Sequence, residues 1–262
     1  MRFMRWVKRS SLKWLLVSLL FSHALMAERE LYDSYEIGEG GRLYDNWAAE
    51  LGVSAPTRTH PGYNDYKGKQ RGAVTWRCKE CHGWDYRGAA GNYGVGEHYT
   101  GTQGIFAARR TSIPEVLATL KNDNHLFDQF LPARQLEAVA AFVVLGQVDM
   151  RRFIHPITKK ISGDARKGRL TYLEQCSLCH GSDGKTRNLS RVKGKKRYLG
   201  EVAQHNPWKT MHKIRFGHPG KFYSNKYDPE GRPRLNMPAM LGVVTLQDQI
   251  DLLAYLSTLP VK

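Results

Sequence analysis

Cys176-Ser177-Leu178-Cys179-His180-Gly181 is the stretch on which the reading of this chain turns, and Cys78-Lys79-Glu80-Cys81-His82-Gly83 repeats it. Two thiols three positions apart, with a histidine directly after the second, meet the needs of covalent haem attachment. The cysteines add across the two vinyl groups of the porphyrin, and the next residue brings an imidazole nitrogen to the iron. The two motifs use all four cysteines of the chain. Other uses of paired cysteines fit less well. The halves of a zinc ribbon lie about 15–20 residues apart, whereas 94 residues separate Cys81 from Cys176. A thioredoxin-like redox pair needs no histidine in that place, and does not need it twice. A disulfide closed over three-residue spacing is strained and reducible.

Outward from these motifs, 262 residues of which 41% are hydrophobic can build one or two cores. The 25 glycines and 11 prolines predict much irregular chain. Residues 1–27 read as a secretory signal peptide. Arg2, Arg5, Lys8, Arg9 and Lys13 form a basic start, Trp14 to Ala27 an apolar stretch, and Ala24-Leu25-Met26-Ala27 offers a cut before Glu28. An uncleaved anchor fits less well, since spanning takes about 20 apolar residues and His23 interrupts this run. The formal charge is +16, and without the five basic residues of the leader +11 remains. In an exported protein that balance favours an acidic docking surface on a partner, or association with a membrane complex, over nucleic acid.

The helical pattern is duplicated. Gly40-Gly41-Arg42-Leu43-Tyr44 opens a helical stretch to about Leu51, after a polar lead-in over 28–39. Gly168-Arg169-Leu170-Thr171-Tyr172 shows the same spacing of glycine and aromatic, which puts the pair on one helix face and lets another helix cross closely. Ser112-Ile113-Pro114-Glu115 starts a helix with an oxygen-bearing cap, a proline in the first turn and an early acid. Pro132–Leu145 and Leu246–Leu259 read as closing helices, the second stopped by Pro260. Gly83–Gly104, with seven glycines and the aromatics Trp84, Tyr86, Tyr93 and Tyr99, reads as chain wrapped round a cofactor.

Gly163-Asp164, Gly168, Tyr172 and Cys176-x-x-Cys179-His180-Gly181 together resemble the opening of a small, all-helical cytochrome c domain, and the likeness covers about 163–262. In that family the first helix crosses the last through this glycine, and Tyr255 is the aromatic expected to face it. The N-terminal half resembles the same family, with the long loop Gly52–Arg77 inserted before Cys78. The expected fold is therefore all-α. It comprises two tandem small cytochrome c domains with long haem-wrapping loops, 28–146 and 163–262, joined by a linker over 147–162. The resemblance implies two covalently bound haem c groups, held through Cys78 and Cys81 and through Cys176 and Cys179. Because such haem is joined outside the bacterial cytoplasm, it also implies a periplasmic protein.

His82 and His180 are the expected proximal ligands of the two irons. In the family the distal ligand comes from the loop before the last helix, usually as Met-Pro, and Met237-Pro238 matches it, with Met240 in reserve. The first half has no methionine between His82 and Met150. His125 lies two residues from the slot that Met237 fills and is ranked first as its sixth ligand, ahead of His98. His60, His155, His205, His212 and His218 are read as structural or solvated. Seven positive charges between Lys185 and Arg197 suit docking of an acidic partner. The functions that follow are transfer of single electrons between redox partners, with no catalytic residues; an oxidoreductase acting on a small sulfur compound of the thiosulfate or tetrathionate type; or the redox subunit of a larger complex.

Overall fold

The computed structural model describes residues 32–63, 68–190, 192, 194–220 and 236–261. The signal-peptide reading of 1–27 falls outside them. Among the described residues the chain is helical, with no strand and only two isolated bridges, Gly88 with Gln103 and Ile154 with Ile161. No described helix is long and apolar enough to cross a membrane.

Helix α1, Ser34–Leu51, begins earlier than the sequence suggests: residues 34–39 are helix, not lead-in. The Asp33 carboxylate accepts from the backbone N–H of Tyr35 and Glu36, and this cap starts the helix in spite of the glycines that follow. Asn46 breaks it with φ −162° and ψ 87°, and its side chain accepts from Ala49 N, so the last turn restarts with its own cap. Helix α2 is Cys78–His82, α3 Ile113–Leu120 and α4 Ala133–Ala141, the last extended by one π-turn over Phe142–Gly146. The expected start of α3 is present as a full capping box between Ser112 and Glu115. In the second half α5 is Ala165–Gln175, α6 Ser177–His180, α7 Leu199–His205, α8 Pro207–Phe216 and α9 Leu246–Leu256.

Each half is closed by a crossing at a glycine. A Cβ on Gly40 would run into the Ala138 carbonyl of α4, and one on Gly168 into the Asp251 carbonyl of α9. Only glycine admits these approaches. Tyr255 packs on Tyr172, with ring centroids 5.2 Å apart, and the backbone of α9 at Asp251 and Leu252 lies directly over Gly168.

The two halves share one core. Leu43, Tyr44, Trp47 and Phe142 from the first half and Met211, Ile214, Phe216 and Leu253 from the second belong to a single buried cluster. Three residues of the stretch 147–162 join it, Met150, Phe153 and Ile154, and Asp149 reaches Arg87 at 2.8 Å, while Ile157 is exposed. Helix α8 makes the polar seam. Lys213 and Arg77 both pair with buried Asp45, the latter at 2.7 Å. His212 accepts from the Tyr86 hydroxyl and donates to Gly41 O, each at 2.9 Å. Arg215 donates to Gly146 O and to Gln249 Oε1, each at 3.0 Å.

Candidate functional site

A cavity of about 360 Å³ opens beside the first motif. Its wall is largely apolar, with Trp76, Ile105, Val116, Leu120, Phe127, Val139 and Val143, and Cys78, Cys81, His82, His60 and His125 line it as well. Helix α2 with the motif, the loop before it, α3 with the turn after it, and α4 all contribute to the wall.

His82 and His125 face one another across this space. Their ring centroids are 6.3 Å apart and their planes differ by 12°. With a metal–imidazole bond of about 2.0–2.1 Å and about 1.2 Å from ring centre to nitrogen, two imidazoles in line on one metal have centroids about 6.4 Å apart. The observed centroid spacing is close to that value, with the two ring planes nearly parallel. His82 Nδ1 lies 2.7 Å from Gln103 O and His125 Nδ1 3.1 Å from Asn122 Oδ1. Donation from Nδ1 leaves Nε2 carrying the lone pair in both rings. Burial pushes His82 down to about 4 and His125 below the ordinary histidine range, so both are neutral at pH 7, the form that binds a metal.

The turn that presents His125 is tightly bound. Asn122 O accepts from His125 N at 3.0 Å and from Leu126 N at 2.9 Å, while Asn122 Oδ1 also accepts from Asn124 N. Leu126, directly after, holds the left-handed conformation at φ 57°, a strain on the order of 1–2 kcal/mol for a residue with a Cβ. His98 is elsewhere. Its Nδ1 lies 2.9 Å from Glu80 Oε2 and its ring stacks on Tyr93 at 4.7 Å. The aromatics Trp84, Tyr86 and Tyr93 are buried in the protein core, and only Thr102 of Gly83–Gly104 reaches the cavity wall, so most of that segment packs on protein.

No two of the four cysteines are joined in a disulfide. Burial pushes Cys78 and Cys81 up to about 12 and Cys176 up to about 11. A redox-active CxxC has a lowered thiol pKa, so this environment is the opposite of what a thioredoxin-like pair requires.

The second motif repeats the local geometry of the first. The Tyr44 hydroxyl donates to Gly83 O at 2.5 Å, and the Tyr172 hydroxyl donates to Gly181 O at 2.5 Å. Gly83 has φ 77° and ψ 167°, Gly181 φ 78° and ψ 164°. His82 O accepts from Gly88 N and His180 O from Thr186 N. The surroundings differ. His180 Nδ1 is buried with no hydrogen-bond partner among the described residues, and burial together with the nearby Arg187 charge lowers its pKa. Leu178, within the motif, is 96% exposed. The Met237 segment is bonded to the end of α8, with His218 N donating to Met237 O and Met240 N to Ile214 O. Met240 is sealed in the core and Met237 is half-buried at its edge. Residues 221–235, just before them, lie outside the described residues. Of the basic segment, Lys195, Lys196 and Arg197 are exposed, Lys185 and Arg187 are half-buried, and Arg191 and Lys193 lie outside the described residues.

Three residues of the first site carry no sequence signal: Gln103, which orients His82 through its carbonyl; Asn122, which builds the His125 turn; and His60, in the same wall. Among the described residues no group of three or more His, Cys, Asp and Glu converges as a metal-ion cluster. The two imidazoles and two thiols at the first cavity could instead hold a planar metal macrocycle that brings its own remaining ligands. Comparison of the chain with protein-family models, with curated proteins and with solved structures finds no match.

Proposed function

We propose that the chain is a c-type cytochrome. More particularly, it is a periplasmic di-haem electron carrier of two tandem cytochrome c domains that passes single electrons between redox partners. The observation that carries this reading is the pair of neutral imidazoles, His82 and His125, facing one another at 6.3 Å across an apolar cavity that Cys78 and Cys81 also line. The repeated bond from a helix tyrosine to the carbonyl after each CxxCH supports two equivalent attachment sites.

In this reading Cys78 and Cys81 would tether the first haem, and His82 and His125 would be the residues available to its iron. Cys176, Cys179 and His180 hold the second, with Met237 as sixth ligand and Met240 in reserve. Haem iron supplies a one-electron couple whose potential the axial ligands set. The protein fixes the imidazole tautomers, keeps water from the first iron with apolar side chains, and offers the exposed basic residues after His180 to an acidic partner. A thioether raises the potential relative to a second imidazole, so two haems held by these residues would supply a downhill one-electron step from the first site to the second.

Mass measurement and low-temperature paramagnetic resonance of the exported protein test this reading. The expected result is two covalently added haems, one with two histidine ligands and one with histidine and methionine. A colourless protein, or one lacking the added mass, overturns it. Turnover of thiosulfate, tetrathionate or peroxide well above that of free haem would replace the carrier with an enzyme. Met237→Ala is expected to lower the second potential and admit an external ligand, which potentiometric titration reads; an unchanged potential rejects Met237.

A further inference from the structure

His60 comes from the long loop ahead of Cys78, yet its ring sits in the cavity wall. It stands edge-on to Trp76 with centroids 4.4 Å apart and lies 5.8 Å from Phe127. The surrounding hydrogen bonds determine its tautomer. The Gly62 backbone N–H, which can only donate, meets His60 Nδ1 at 3.0 Å. The ring proton is therefore on Nε2. Nε2 lies 3.1 Å from the carbonyl oxygen of His125 and donates to it. The loop beneath is itself anchored: His60 N donates to Thr75 Oγ1 at 2.9 Å, and Thr75 Oγ1 donates to Gly72 O at 2.6 Å.

We infer that His60 is a positioning residue for His125: its Nε2–H grips the His125 carbonyl and holds that imidazole opposite His82. The need for such a grip is visible in the turn. Leu126 is left-handed, and the side-chain contact between His125 and Asn122 is exposed. The strained turn, held by its own local bonds, gains from His60 on a different loop a further tie at the His125 carbonyl. Partners in the second coordination shell of a metal-bound histidine usually contact the ring; here the tie runs through the backbone of the ligand.

The inference rests on His125 being the sixth ligand of the first haem, and three variants of the holoprotein keep the two ideas apart. His60→Phe keeps an aromatic ring against Trp76 and Phe127 and has no proton to donate. His60→Gln gives up the ring and keeps an N–H donor. Cyanide titration of the oxidised protein, followed by absorption and paramagnetic resonance, reads how readily His125 is displaced, with the second haem as internal reference. His60→Phe is expected to bind cyanide at the first haem about tenfold more tightly than the wild type, on the scale of other such partners. His60→Gln is expected to stay close to the wild type. Any other order, with His60→Gln loosened as much as His60→Phe or neither changed, overturns the inference and leaves His60 as packing. If His125→Ala leaves the first haem low-spin, the ligand assignment falls, and this inference with it.

Discussion

At the scale of single residues, His125 and His98 are separated by what surrounds them. Both are lone histidines in polar stretches, and only position relative to the Met237 slot distinguished them in the sequence. In the fold His125 faces His82, while His98 is committed to Glu80 and Tyr93. His125→Ala is therefore expected to turn the first haem high-spin, and His98→Ala to leave it low-spin, by paramagnetic resonance of the oxidised protein. The reverse result would move the ligand to His98. His60 was not legible in this way. Its role comes from a hydrogen bond to a residue 65 positions away, which no local pattern encodes.

At the scale of helices, local chemistry and packing divide the credit. The cap of α3 could be read directly, from Ser112 with Glu115, whereas the box of α9 between Thr245 and Asp248 is seen in the fold. The start of α1 could not, because glycine is a poor helix former and Gly38, Gly40 and Gly41 mask the Asp33 cap. Tertiary contact explains their presence: Gly40 admits α4, and a Cβ on Gly41 would strike Phe216 of α8. Two effects oppose one another when such a glycine is replaced. Alanine raises helix propensity by about 0.5–1 kcal/mol, while overpacking against a neighbour costs about 1–3 kcal/mol. The neighbour here is a backbone carbonyl that cannot rotate away, so the clash wins. Gly40→Ala and Gly168→Ala are each expected to lose stability in urea unfolding, and a gain in either would refute the close crossing.

At the scale of the whole molecule, the seam through α8 makes the halves one body with a buried charge at its centre. Asp45 is 1% exposed, and although burial raises its pKa, Lys213 and Arg77 outweigh this and hold the carboxylate well below the usual range. Asp45→Asn leaves two cations without their anion, and breaking a buried pair costs about 3–5 kcal/mol. The pH dependence follows from the sign of the shift. A carboxylate depressed in the folded state contributes stability that is complete above its unfolded value, about 3.9 for aspartate, and is lost as pH falls below it. Unfolding at pH 7 and pH 3 should show a steeper acid loss in the wild type than in Asp45→Asn; equal slopes would remove Asp45 from the acid response.

The sequence alone determined the two CxxCH motifs, the helical class, the cap of α3 and the glycine-aromatic spacing. Each of these is local, written within a few residues by covalent chemistry or by helix periodicity. Tertiary structure alone decided which histidine meets His82, that Met150, Phe153 and Ile154 join the core, and that Lys213 shares Asp45 with Arg77. Those outcomes depend on which distant surfaces exclude water together, and burial and charge pairing act between segments that the order of residues does not place side by side.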